Sequence, residues 1–281
     1  MPELPEVQTV IDTLRPLVLH KTIEAIEIVY EPIVENDLDE FLDRVTQRRV
    51  VALSRKGKFI IIHLDQGYLI IHLRMEGKFF VTEVDHPWVT DKHTHARFYL
   101  DNGFVWTFHD VRKFGRIGYV EELKDHKGLN RLGYDVFDED LNANYLFERA
   151  KNRSVEIKNF LLDQQVMAGV GNIYANEILF DAHVSPFQPS NTLKKAEFEK
   201  ILESTRQILS LALQQGGTSI RSYTSSLGVT GLFQQSLQVH AKESQACGCC
   251  GHLIERQKQA GRSSFYCPVC QPLRQRKARR K

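Results

Sequence analysis

Pro2, Glu3 and Glu6 fall within the first six residues, Met1-Pro2-Glu3-Leu4-Pro5-Glu6, and their types suit Schiff-base chemistry. Removal of an initiator Met ahead of a small residue would leave Pro2 with a free secondary amine, the only one in the chain. An α-amino group has an ordinary pKa of about 7.7–8.0, so a sizeable fraction is neutral near pH 7. A neutral amine attacks an aldehyde carbon, as catalytic lysines do. A proline imine has no N–H to lose, so it stays cationic and draws electrons from the adjacent carbon. Glu3 and Glu6 supply carboxylates for proton transfer beside it. Pro and Glu are also ordinary at a helix start, where they pre-organise the first turn and complement its dipole. The remaining sequence decides between these readings.

A second constellation lies at the other end. All five cysteines fall in the last 35 residues, and Cys247-x-x-Cys250 and Cys267-x-x-Cys270 are separated by 16 residues. That spacing suits a zinc ribbon in which four thiolates close a tetrahedral shell around one structural Zn2+. Paired disulfides do not suit a reducing cytosol. Gly251 directly follows Cys250, where a knuckle turn needs a residue without Cβ strain. Cys247 and Cys250 are therefore the expected ligands, and Cys249 is a spare thiol.

These groups need a scaffold, and 281 residues suffice for about two domains with a real core. The chain has 42% hydrophobic and 26% charged residues and no apolar span long enough for a membrane helix, so a cytoplasmic globular protein is expected. The net charge of +2 hides an asymmetry. Residues 251–281 hold nine Lys or Arg against one acid, leaving 28 basic and 34 acidic residues before them. A basic end suits a phosphate backbone.

Val7, Val10, Ile11, Leu14, Leu17 and Val18 recur at helical spacing, which predicts an amphipathic helix over about 5–19. From Thr22 to Tyr119 the texture is that of strands. Asp65-Gln66-Gly67 and Asp101-Asn102-Gly103 each separate two strand-like runs, because Gly and Asn tolerate the positive φ of tight turns. An antiparallel sandwich is the natural packing. After Asp125 the chain turns helical, with a stripe from Phe198 to Ala212 that reads as plain core. The Gly-, Ser- and Thr-rich stretch 215–235 lacks periodicity, as functional loops do. Gly169-Val170-Gly171-Asn172 precedes an apolar helical stretch; glycines there admit a phosphate to the first helical N–H groups, with Asn172 as cap.

MPELPEV, LRMEGK, DVRKFGR, GVGNIYANE and GRSSFYCPVCQ occur in that order along the full chain, and together the sequence resembles the formamidopyrimidine-DNA glycosylase family. The resemblance implies an α+β fold of three parts. These are a catalytic antiparallel β-sandwich with a flanking helix over 1–125, a helix–two-turn–helix domain with a base-capping loop over 126–235, and a zinc finger with basic tail over 236–281. It implies a monomeric enzyme that removes oxidised purines from double-stranded DNA and nicks the abasic strand; the alternative readings are an endonuclease VIII-like glycosylase for oxidised pyrimidines and a non-catalytic DNA-binding zinc protein. It places the nucleophile at Pro2, the general acid/base at Glu3, a second carboxylate at Glu6, a phosphate- and sugar-contacting lysine at Lys58 and a phosphate-gripping finger arginine at Arg262. A damaged base must leave the stack, and the side chains implied to fill its place are Met75, Arg112 and Phe114. A thioether fills irregular gaps, an aromatic edge wedges a base step, and a guanidinium addresses the orphaned cytosine. Further DNA contacts fall on His72, His93 and Asn172. The lid over the everted base falls on Ser219, Ile220, Arg221, Ser222, Tyr223 and Thr224. His240-Ala241-Lys242 departs from the family's usual Tyr-Gly-Arg, and Ala246 from its usual Pro.

Overall fold

The apolar stripe of the first helix is also what fixes the start of the chain. In the computed structural model, which describes residues 1–85, 91–218 and 231–274, α1 spans Leu4–Val18. Leu4, Val7, Val10, Ile11 and Leu14 are each at most 1% exposed. They join a core that also takes in Phe41, Ile60, Ile62, Ile71, Phe98, Trp106 and Phe108.

Around α1 stand eight strands: β1 (Ile23–Ile28), β2 (Val50–Lys56), β3 (Phe59–Leu64), β4 (Tyr68–His72), β5 (Lys78–Glu83), β6 (Thr94–Leu100), β7 (Phe104–His109) and β8 (Arg116–Val120). They form two four-stranded sheets, ordered β1-β6-β7-β5 and β2-β3-β4-β8, with every pairing antiparallel. Both expected hairpins are present as β3/β4 and β6/β7. Gly67 and Gly103 sit at φ +74° and +77° in their turns.

Among the described residues of 22–119, a 3-10 turn at Glu31–Ile33 and one α-helix interrupt the expected strands. Helix α2 spans Leu38–Val45, with Asp37 accepting the Glu40 N–H at 3.2 Å. Its single buried face, Phe41 and Val45, is too short a periodic signal to stand out from the strands around it.

The chain forms two compact units. One is Met1–Arg131 with Leu213–Gln234, and the other is Leu132–Ala212 with Gln235–Lys281. The short α3 (Lys127–Asn130) closes the first stretch. The second unit contains β9 (Tyr134–Asp135), α4 (Ala143–Ala150), α5 (Ile157–Leu162), β10 (Met167–Ala168), α6 (Asn172–Asp181) and most of α7 (Lys195–Gln214). Two further strands, β11 (Glu255–Gln259) and β12 (Arg262–Tyr266), form the antiparallel finger hairpin. The 198–212 stripe is buried core on α7, as expected.

The Glu177 carboxylate, midway along α6, accepts three successive backbone N–H groups, from Gln238, Val239 and His240, at 2.7, 3.1 and 2.7 Å. This clamp fixes the segment leading into the finger. Immediately after it, Ala241 holds φ +60°, in the left-handed region where a Cβ is strained. Ala241→Gly is therefore expected to raise stability by about 1 kcal/mol, read as an upward shift in the denaturation midpoint. An unchanged midpoint would show that the turn carries no strain.

Candidate active site and nucleic-acid interface

Burial of the α1 stripe draws Pro2, Glu3 and Glu6 out of solvent; Glu3 and Glu6 are each 2% exposed. Glu6 Oε2 accepts the Glu3 N–H at 2.9 Å, and Glu6 Oε1 accepts the Thr218 N–H at 2.8 Å and the Thr218 hydroxyl at 3.0 Å. Glu6 is thus a fixed strut between the chain start and a segment more than 200 residues later. Gly217 makes that approach possible: it lies at φ +76°, and a Cβ there would stand 2.6 Å from Glu6 Oε1. Thr218 pairs with Leu232 in an antiparallel bridge, and the expected lid residues Ser219 to Thr224 lie outside the described residues.

Met1 precedes Pro2 and carries the α-amine. Burial lowers that amine's pKa below the ordinary 8.0, while Glu3 and Glu6 pull it back up and Lys58 pushes it down. The pocket around the chain start therefore favours a neutral amine. Lys58 sits in the two-residue turn between β2 and β3 and is 6% exposed. Its charge also acts on His72, at the end of β4. Pro2, Glu3, Glu6 and Lys58, distant in type of element, are thus gathered in one unit.

His72 is not a cation. Burial, then the charges of Arg74 and Lys58, bring it down to about 3. Its Nδ1 accepts the Arg74 N–H at 2.9 Å, so the neutral ring carries its proton on Nε2. His93 lies just before β6; its backbone N–H donates to Asp91 Oδ1 at 2.8 Å. The His93 ring stands edge-on to His109 with centroids 5.6 Å apart, and its Nδ1 is buried without a hydrogen-bond partner.

Met75, Arg112 and Phe114 meet on the surface. The Arg112 guanidinium lies 4.7 Å over the Phe114 ring and donates to Met75 Sδ at 2.9 Å. Met75 and Phe114 remain 39% and 47% exposed, so the cluster is an apolar and cationic projection with little cover. That is the shape required of a group that enters a base stack.

In the second unit, Asn172 is the first residue of α6, and Gly171 takes the cap position expected for Asn172. Glycine suffices there because the backbone is extended, which leaves the Asn172 amide free for a longer reach. Its Nδ2 donates to Ser263 O at 3.2 Å, while its Oδ1 is buried without a partner. Lys158, which is 1% exposed, donates to the same Ser263 carbonyl at 2.9 Å and to Ser264 Oγ at 2.8 Å. Sequence reasoning missed Lys158, because a lysine inside the apolar run of α5 carries no sign of a partner 105 residues later. Together Asn172 and Lys158 fix the start of β12, where Arg262 is exposed.

Cys247, Cys250, Cys267 and Cys270 place their sulfurs within 4.8 Å of one another. The Cys247–Cys270 and Cys250–Cys267 separations are 3.8 and 3.4 Å. Zn–S bonds of about 2.3 Å in a tetrahedron require sulfurs roughly 3.8 Å apart, so the set fits zinc and is too open for a disulfide. Burial pushes the Cys247 thiol up, but N–H groups of Cys249 and Cys250 outweigh it and bring the thiol down to about 7. Burial and neighbouring thiols hold Cys270 above its ordinary range. Four thiolates so close need a divalent cation. Gly251 lies at φ +75°, as the knuckle requires, and Cys249 is exposed outside the set.

Three sequence models match the chain: formamidopyrimidine-DNA glycosylase N-terminal domain over residues 1–117, formamidopyrimidine-DNA glycosylase H2TH domain over 132–224, and zinc finger found in FPG and IleRS over 244–273. A formamidopyrimidine-DNA glycosylase of Oceanobacillus iheyensis is 42% identical over 279 residues, 98% of this chain and 99% of that protein. The Lactococcus lactis Fpg complex with abasic-site DNA aligns at TM-score 0.89 and 34% identity, covering 96% of this chain and 99% of that one. The wild-type Lactococcus lactis Fpg complex with N7-benzyl-Fapy-dG DNA aligns at TM-score 0.89 and 34% identity, covering 96% and 100%.

Proposed function

Because the chain belongs to the formamidopyrimidine-DNA glycosylase family, we propose that it excises oxidised purines from duplex DNA and cleaves the abasic strand, acting as a monomer in the cytoplasm. The observation that carries this is the buried Pro2–Glu3–Glu6 start near the Lys58 charge, where burial lowers the pKa of the α-amine.

With Met1 removed, the Pro2 nitrogen attacks C1′ of the lesion nucleotide. The C1′–N bond to the base breaks and the base leaves with the proton lost from the attacking Pro2 nitrogen; Glu3 then protonates the sugar ring oxygen, the C1′–O bond opens, and the Pro2 lone pair forms the C1′=N iminium. The resulting iminium acidifies the C2′ proton; its removal expels the 3′ phosphate, and a second elimination expels the 5′ phosphate. Water then releases the sugar remnant from Pro2. Glu6 keeps Glu3 in place: one carboxylate oxygen accepts the Glu3 N–H and the other is anchored by Thr218. Lys58, His72, His93, Asn172 and Arg262 grip phosphates, and Met75, Arg112 and Phe114 fill the vacated stack. The segment 219–224 caps the everted base. The sandwich over 1–125, the helical part over 126–235 and the finger over 236–281 act as three functional parts. Zinc bound by the four cysteines supplies no reaction step; its closed shell shapes the ribbon that presents Arg262.

The deciding experiment compares excision of 8-oxoguanine opposite cytosine with excision of thymine glycol. Preference for 8-oxoguanine is expected. Preference for thymine glycol would assign the chain to oxidised pyrimidines instead.

His72 and Arg262 should separate in salt titrations. Arg262→Ala is expected to lower the slope of log affinity against log salt by about one counterion. His72, at about 3, is neutral from pH 5.5 to 8. His72→Ala should therefore weaken duplex binding with an unchanged salt slope and no new pH dependence over that range. A slope falling by a full counterion would show that His72 binds as a cation.

A further inference from the structure

The loop that carries Arg112 and Phe114 is built on one carboxylate. Asp110 is fully buried. Its Oδ1 accepts the Arg112 N–H at 2.9 Å, and its Oδ2 accepts the Phe114 and Gly115 N–H groups at 2.9 and 2.8 Å. Its backbone is held as firmly: the N–H donates to His93 O at 2.9 Å, and the carbonyl accepts His95 Nε2–H at 2.7 Å. Burial holds His95 below its ordinary pKa, so the ring is a neutral donor.

The loop cannot close this way at no cost. Lys113 lies at φ +58°, a left-handed conformation that a lysine rarely adopts. Its ammonium is drawn over the Tyr30 ring at 4.3 Å, and Tyr30 in turn packs on His95 with centroids 5.3 Å apart. Gly115 admits no side chain, because a Cβ there would stand 2.4 Å from Phe108 and 3.3 Å from Asp110 Oδ2. The outcome is a rigid base under exposed Arg112 and Phe114, on alternate residues of one turn.

We propose that Asp110 is a positioning residue for base eversion and opposite-base reading. It presets the backbone so that Arg112 and Phe114 enter the duplex already aligned, and no ordering of the loop is needed on binding. This rests on the function proposed above, because it assigns Arg112 to the orphaned base. The loop takes no part in the chemistry at Pro2. Damage to the loop must therefore appear where a base is everted and its partner read, and not where an open abasic sugar is cleaved.

The test uses full-length Asp110→Asn, which keeps side-chain volume but turns an NH2 group toward backbone donors. Two substrates are compared: duplex 8-oxoguanine opposite cytosine or adenine, and an abasic site in single-stranded DNA. Excision of 8-oxoguanine opposite cytosine is expected to fall at least 10-fold, and the cytosine-over-adenine preference to collapse toward unity. Single-stranded abasic cleavage should stay within twofold of the parent. Gly115→Ala strains the same loop from its other side and should give the same signature, so the idea does not hang on the stability of one variant. Unaltered opposite-base preference in either folded variant would overturn the proposal, as would equal losses on both substrates. A parent chain inert on both substrates would instead overturn the function on which it rests.

Discussion

Protein shown by mass to retain Met1 is expected to leave no DNA strand trapped on Pro2 by borohydride. The Pro2 nitrogen is then an amide whose lone pair is delocalised into the carbonyl, so it does not attack C1′. The rest of the apparatus is untouched, and duplex binding should persist. Met1 itself offers a primary amine that burial keeps below its ordinary pKa, but one residue away from the Pro2 nitrogen. Peptide mass distinguishes an adduct there from one on Pro2. Removal of Met1 should restore trapping on Pro2 and strand cleavage together. Pro2→Gly leaves a primary amine and should keep partial lyase activity. Glu3→Gln should bind lesion DNA yet excise about 10²–10⁴-fold more slowly, because an amide relays no proton. Full-yield trapping on Lys58 in the Met1-bearing form would identify the lysine as nucleophile and end the Pro2 assignment.

The second large effect concerns the finger. Cys267→Ser is expected to abolish stoichiometric zinc and reduce duplex affinity steeply while α7 remains folded. The ribbon packs through a small apolar cluster in which Ile254 and the ligands Cys247 and Cys267 meet Val239 and Phe180 of α6. Binding of structural zinc contributes about 10–16 kcal/mol in isolated finger peptides, far more than such a cluster supplies. With the ribbon open, Arg262 loses the β11–β12 register that pairs it with Gln259. Metal analysis, duplex titration and amide exchange on α7 check the three parts. A full equivalent of zinc with parental affinity would refute the four-cysteine assignment.

What the sequence disclosed followed from local periodicity and fixed spacing. The α1 stripe, the two hairpin turns and the paired cysteines each announce themselves within about twenty residues, and each stands as expected. Helix α2 did not, because eight residues with two buried side chains resemble a strand fragment. Long-range partnerships were invisible. Thr218 looks like one residue of a polar loop, yet it fixes Glu6; Lys158 looks like a surface lysine, yet it is buried against the finger. Asp110 was seen as part of a motif, with no hint that its carboxylate organises the backbone that follows. Asn172 opens α6, while Gly171 and not Asn172 takes the cap position.

The Glu6–Thr218 link has a bearing on how the protein comes into being. A ribosome delivers the chain from the N-terminus, so the first helix and both sheets emerge well before residue 218. Domains generally begin folding as they emerge, and contacts spanning long loops form last. The carboxylate that steadies Glu3 therefore gains its second anchor only late in synthesis, after the whole of α7 has been made. A nascent or prematurely terminated chain would hold a folded sandwich with an unsettled reaction centre. Ordering the active site through a distant part of the chain thus delays strand-cutting competence until a protein nearly able to hold DNA has been made.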